Sequence, residues 1–188
     1  MKIIETPLKD LFIIEPKVFV DTRGYFFESF NSQNMREFGL DVTFLQDNES
    51  FSSFGTIRGL HYQLAPYAQA KLVRVVKGSI LEVAIDIRKG SPTFGQPFAI
   101  ELNDLSKQML FIPRGFAHGF SVLSASATFF YKCDALYNPD AERGIRYNDP
   151  QLAIDWKING NEAKVSAKDN VLPHFDSLET NFVYGGNF

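Results

Sequence analysis

The segment Arg58-Gly59-Leu60-His61-Tyr62-Gln63 sets a guanidinium and an imidazole three residues apart beside a glycine, in a chain with three histidines in all. Imidazole is the side chain whose ordinary pKa lies near neutral pH, so a histidine is the first place to look for a group that takes or gives a proton. Two helpers are available. Lys71 opens an apolar strand, where a partly desolvated ammonium could stabilise a developing oxyanion. Asp169, far along the chain, could orient the imidazole if the fold brings it close. Two of these residues also have an ordinary explanation: a lone histidine in the core or at the surface, and a strand-end lysine in solvent.

A second histidine stands in Pro113-Arg114-Gly115-Phe116-Ala117-His118-Gly119-Phe120, where proline and glycine make a tight turn that leads into a strand. This P-x-G-x-x-H pattern resembles the second signature of the cupin superfamily, which delivers a side chain into a jelly-roll cavity. Metal-binding cupins also carry two histidines at i and i+2 with a glutamate shortly after. Here His61-Tyr62-Gln63 has glutamine in place of the second histidine, so a three-ligand site for a first-row metal is not expected. Gln46 and Asn48, two residues apart, share a strand face and offer donors and acceptors for a base or a sugar hydroxyl. Arg23 in Asp21-Thr22-Arg23-Gly24 suits a phosphate, with Glu28 following on the next strand. Tyr131, in Phe129-Phe130-Tyr131-Lys132-Cys133, is either a core phenol or a proton donor.

The elements that must position these groups are strands. Phenylalanine is abundant, 19 of 188 residues with seven tyrosines, and aromatic enrichment favours β structure. Glycine and proline punctuate the chain at short intervals, which predicts an all-β sandwich or barrel. Strands are expected at 25–30, 43–50, 56–62, 98–102, 108–112, 119–123 and 128–134. Lys71–Val76 and Ser79–Ile87, joined at Lys77-Gly78, read as a hairpin. In the second arm Leu81, Val83, Ile85 and Ile87 fall on one face and Glu82, Ala84 and Asp86 on the other. One short helix is expected over Ser32–Phe38, capped by Asn31 or Ser32 and stopped by Gly39. The last forty residues read as loops, with at most one short helix around Gln151–Ala153, packed on the β body.

At this length one domain, residues 1–188, is expected. The net charge of -3 and the lack of a block of like charges give no footprint for nucleic acid. The single cysteine, Cys133, can form neither an internal disulfide nor a cysteine metal site. No apolar run is long enough for a membrane span or a signal peptide, so a cytoplasmic protein is expected.

Taken together, these motifs resemble the dTDP-4-dehydrorhamnose 3,5-epimerase family. The resemblance runs from Asp21-Thr22-Arg23-Gly24 through Arg58–Gln63, Gln69-Ala70-Lys71-Leu72-Val73, Pro113–Phe120, Tyr131-Lys132 and Tyr137-Asn138-Pro139 to Ser166-Ala167-Lys168-Asp169. It implies a cupin-like jelly roll (a double-stranded β-helix) with short peripheral helices, free of metal and cofactor. It further implies a homodimer acting on a dTDP-linked 4-keto-6-deoxy sugar. Carried over to this sequence, His61 is the base, Asp169 its orienting partner, Lys71 the group that holds the C4 oxygen, and Tyr131 the acid on the opposite ring face. Gln46, Asn48, Arg58, His118, Tyr137, Glu142 and Lys168 match substrate-contacting positions, while Arg23 and Glu28 match positions that reach the nucleotide bound by the partner subunit.

The chemistry fits the residue types. A 4-keto group acidifies the protons on C3 and C5, and removing either leaves an enolate with its charge on O4. A buried Asp169 would stabilise the imidazolium that His61 becomes, Lys71 would hold the enolate oxygen, and Tyr131 would return a proton from the other side. A mono-epimerase, a non-catalytic sugar-binding cupin and a metal-dependent oxygenase are the competing readings. Tyr131 favours double inversion over the first, the second would not need the His61, Lys71, Asp169 and Tyr131 set, and the third lacks a histidine. One geometric condition follows: Arg58 and His61 differ in strand parity, so both reach one cavity only if the strand is bulged or bent at Gly59.

Overall fold

The computed structural model describes residues 1–186. Its strands, in chain order, are β1 Lys2–Glu5, β2 Phe12–Glu15, β3 Phe19–Asp21, β4 Gly24–Phe26, β5 Gln46–Ser53, β6 Thr56–Gln63, β7 Lys71–Lys77, β8 Ser79–Asp86, β9 Pro97–Asn103, β10 Met109–Ile112, β11 Phe116–Val122, β12 Ser126–Cys133, β13 Glu142–Gly144 and β14 Lys164–Val165. One sheet runs β1-β2-β10-β7-β12-β5; the other runs β13-β6-β11-β8-β9, with β14 added to β6; β3 and β4 form a separate hairpin. Apart from the parallel β14–β6 pair, the strand pairings are antiparallel. This is the expected all-β jelly roll, with short helices at its edge.

Side-chain alternation divides the apolar residues among three clusters. Val73, Val75, Ala84, Leu110, Phe116, Phe120 and Phe129, drawn from both sheets, meet between them. Leu81, Val83 and Ile85, on the other face of β8, pack under Leu152, Trp156, Phe175 and Phe182 of the C-terminal segment. Leu72, Met109 and Phe111, on the outer face of the first sheet, pack with Met35. Each fully buried side chain of this size contributes roughly 1.5–3 kcal/mol. β8 is therefore buried on both faces.

Several expectations need correction. β7 and β8 do not form a hairpin: β7 pairs with β10 and β12, and β8 pairs with β9 and β11 in the facing sheet. The turn at Gly78 carries the chain across the sandwich, with a positive φ of 87°. A Cβ there would stand 2.2 Å from the Ser126 carbonyl oxygen. Alternating hydrophobicity reports faces, and it is silent on which strand is the partner. The strand expected at 25–30 ends at Phe26. No helix forms at Gln151–Ala153, which is a turn; the C-terminal helix is α2, Ala167–Asn170. The helix expected over Ser32–Phe38 is present as α1, Ser32–Glu37, with the Asn31 side chain accepting from the backbone N–H groups of Gln33 and Asn34.

Candidate active site

A cavity of about 590 Å³ opens between the sheets, and His61, Arg58, Lys71, His118, Tyr131 and Glu142 all line it. Its construction starts with β6. His61 pairs with His118 of β11, but Arg58 pairs with Phe120, so three steps on β6 match two on β11. That is the bulge the parity of Arg58 and His61 requires, and it lies at Gly59, whose φ is 108°. A Cβ at Gly59 would sit 2.7 Å from the His118 carbonyl oxygen and 2.8 Å from the Gly119 Cα, so only glycine fits.

The C-terminal segment then supplies the partner of His61. β14 pairs in parallel with the start of β6, and α2 follows at once. Ser166 caps α2, its Oγ accepting from the Asp169 N–H at 3.0 Å. Asp169 Oδ1 stands 2.7 Å from His61 Nε2, and Oδ2 accepts from the Gly59 N–H at 3.2 Å. Burial pushes the Asp169 carboxyl up, but the bond and charge of His61 with the Gly59 and Ser166 bonds outweigh it and hold it below its ordinary value. The carboxylate is thus ionised, and a proton on His61 Nε2 is directed at it. Nδ1 is left as the ring nitrogen free to take a proton.

The facing sheet brings Lys71 and Tyr131. Lys71 is 8% exposed, its Nζ lying 5.8 Å from the centroid of the Tyr131 ring. The surface reading of this lysine is thereby excluded. Lys71 Nζ is 2.7 Å from His118 Nε2, and His118 Nδ1 is 2.7 Å from Glu82 Oε1. Burial lowers the Lys71 ammonium, against the opposing charges of Cys133, Glu82 and Glu142. Burial, then Lys71 and His61, hold His118 well below the ordinary imidazole value, so it is neutral. Burial also raises the Tyr131 phenol, which keeps its proton at neutral pH.

At the rim, Glu142 of β13 sits opposite Gln63 and accepts from the Tyr137 hydroxyl at 2.7 Å and from Lys168 Nζ at 2.5 Å. Arg58 Nε donates to Ser52 Oγ at 3.1 Å. Gln46 and Asn48 lie on the neighbouring strand β5, joined by a 3.0 Å bond, with Gln46 Oε1 accepting from the Tyr137 N–H at 2.9 Å. They do not line the cavity itself. Arg23 and Glu28 also stand apart from it: Arg23 is on the β3–β4 hairpin, paired with Asp21 at 2.6 Å, and Glu28 accepts from Asn31 at 3.0 Å.

Two residues of the constellation were not singled out by the sequence. Glu82 is fully buried and joins the site through His118. Its signal was a glutamate in phase with Ala84, between the apolar residues Ile80, Leu81, Val83 and Ile85. Ser166 was seen only as part of a motif, and its role depends on the short helix it caps. Among the described residues, no three His, Cys, Asp or Glu side chains are grouped so as to hold a metal ion.

Comparison with known proteins gives a consistent picture. The family model for dTDP-4-dehydrorhamnose 3,5-epimerase matches residues 5–177. The dTDP-4-dehydrorhamnose 3,5-epimerase of Shigella flexneri is 52% identical over 84% of this chain and 88% of its own length. That of Salmonella typhimurium is 48% identical over 94% of this chain and 96% of its own length. The structure of the dTDP-6-deoxy-D-glucose-3,5-epimerase of Legionella pneumophila, solved in complex with dTDP-4-keto-L-rhamnose, superposes with a TM-score of 0.91 at 47% identity, covering 95% of this chain and 94% of that one.

Proposed function

This chain belongs to the dTDP-4-dehydrorhamnose 3,5-epimerase family, and we propose that its two sheets divide the proton transfers, with the base on one and the acid on the other. The enzyme is an isomerase of dTDP-L-rhamnose synthesis, converting dTDP-4-dehydro-6-deoxy-D-glucose to dTDP-4-dehydro-L-rhamnose. The observation that carries the division of labour is that His61 and Asp169 approach the cavity from the β6 side while Lys71 and Tyr131 project from β7 and β12 of the facing sheet.

On this reading His61 takes the proton from C3 or C5 and passes into an ion pair with Asp169. Lys71 donates to O4 as the enolate forms, in surroundings dry enough to make that bond strong. Tyr131 returns a proton to the opposite ring face, which inverts the carbon. Arg58, His118, Tyr137, Glu142 and Lys168 contact the substrate, as do Gln46 and Asn48 from β5. Arg23 and Glu28, exposed and outside the cavity of their own chain, reach the nucleotide held by a second copy, so the working unit is a homodimer. No nucleic acid, membrane or metal enters this scheme, and the cytoplasm, where nucleotide sugars are made, is its setting. No helix among the described residues is long and apolar enough to cross a membrane.

The test is to incubate the protein with dTDP-4-keto-6-deoxyglucose in deuterated water and locate the label by NMR. Deuterium at both C3 and C5 of a doubly inverted product is expected. Label at one carbon alone would make it a mono-epimerase, and no label would remove the scheme.

A further inference from the structure

We propose that Glu82 is a positioning residue that, acting through His118, holds Lys71 as an ammonium aimed at the C4 oxygen of the substrate. This rests on the assignment of Lys71 to the enolate oxygen. Lys71 Nζ, His118 Nε2, His118 Nδ1 and Glu82 Oε1 form a chain with two links of 2.7 Å. An ammonium has donors only, so Nε2 must accept from it. The imidazole proton then lies on Nδ1 and is donated to Glu82. The three side chains are 8%, 8% and 0% exposed; burial pushes the Glu82 carboxyl well above its ordinary range, and the positive charge of Lys71 opposes that.

A comparison on the same strand separates this role from an architectural one. Asp86, four residues along β8, has its oxygens bound by Arg88, Ser91 and Thr93. Among the described residues Glu82 has His118 as its one hydrogen-bond partner, and its Oε2, fully buried, has none. A carboxylate kept for structure alone is normally satisfied at both oxygens. Glu82 leaves one bare and spends the other on an imidazole whose far nitrogen meets the lysine.

The groups facing Lys71 are Arg58 and His61 of β6, Glu82 of β8, His118 of β11, Tyr131 and Cys133 of β12, and Glu142 of β13. Burial lowers the Lys71 ammonium, and Cys133, Glu82 and Glu142 oppose that. Burial also raises the Cys133 thiol, which is neutral near pH 7. Glu142 is shared with Lys168 and Tyr137. Glu82 is therefore the carboxylate committed to the lysine. The sign follows: without its charge, Lys71 loses its proton at lower pH, and any step that needs the ammonium fails at lower pH too.

Glu82→Gln tests this, because it keeps the shape and removes the charge. The readout is deuterium exchange into the sugar, which needs His61 and Lys71 but not Tyr131. Exchange by the variant should lie within about threefold of the unaltered enzyme near pH 6 and fall at least about tenfold below it near pH 9. An equal loss at both pH values, or no loss, would overturn the proposal. Should the variant not fold, nitrogen-15 NMR of His118 in the unaltered protein decides: a neutral ring protonated on Nδ1 supports the chain, and a proton on Nε2 breaks it. If the unaltered protein exchanges no deuterium at all, the functional reading fails, while the His118 measurement still answers for Glu82.

Discussion

Replacing Asp169 by asparagine keeps the volume of the side chain and sets a conflict that can be worked out from two distances. The carboxylate serves His61 Nε2 at 2.7 Å with one oxygen and the Gly59 N–H at 3.2 Å with the other. Both of those partners are donors when the imidazole takes its proton on Nδ1. An amide has one acceptor and must present its NH₂ to the other site. If the NH₂ faces Gly59, two buried donors collide. If it faces His61, the ring must accept on Nε2, so its remaining proton moves to Nδ1, the nitrogen that has to receive the substrate proton. Losing a charge-assisted bond to the imidazolium costs about 1.5–3 kcal/mol, or roughly 10- to 150-fold in rate. The wrong tautomer adds to that, and the same exchange in a Ser-His-Asp triad lowers turnover about 10⁴-fold. Asp169→Asn should therefore slow deuterium exchange at C3 and C5 by roughly 10³- to 10⁴-fold, with a stability loss of only about 1–2 kcal/mol. The assay is proton NMR of the sugar in deuterated water, with a thermal melt to verify folding. A folded variant that exchanges within tenfold of the unaltered enzyme would show that His61 needs no carboxylate, and the dyad would fall.

Tyr131→Phe should keep exchange but form little doubly inverted product, since abstraction does not use the phenol; wild-type yields of that product by NMR would reassign the acid. Mixing inactive His61→Ala and Arg23→Ala chains should restore part of the activity if Arg23 serves the partner's site. Confirmed hybrids with no rescue would count against sharing. Gly59→Ala should destabilise the fold by about 2–4 kcal/mol, because its Cβ meets backbone that cannot yield and its φ disfavours any side chain. An unchanged melting temperature would mean the bulge is not rigid.

The residues that line the cavity were legible because their motifs are local: His61 with Arg58, His118 behind its turn, and the Ser166-to-Asp169 run each lie within eight residues. Even the bulge could be inferred, since Arg58 and His61 demanded it. What stayed hidden depends on partners distant in the chain. β7 and β8 are adjacent in sequence and alternate cleanly, yet Gly78 sends them to opposite sheets. Glu82 was assigned to the face away from Leu81, Val83 and Ile85, which is correct, but that face is the interior beside His118 and not solvent. A strand buried on both sides offers no polar face against which to notice a buried charge. α2 is one turn long and held by its cap, too short for periodicity to reveal.

The way β14 and α2 lie along β6 ties His61 to a segment 108 residues further along the chain. Asp169 hangs on a two-residue strand, a one-turn helix and the apolar cover provided by Phe175 and Phe182. Regions with so few ladder bonds open at a lower free energy than the sheets beneath them. Each such opening takes the carboxylate from His61 while leaving Lys71, His118 and Glu82 in place. On warming, this enzyme should thus fall silent while both sheets are still intact, and regain its activity on cooling without having to refold.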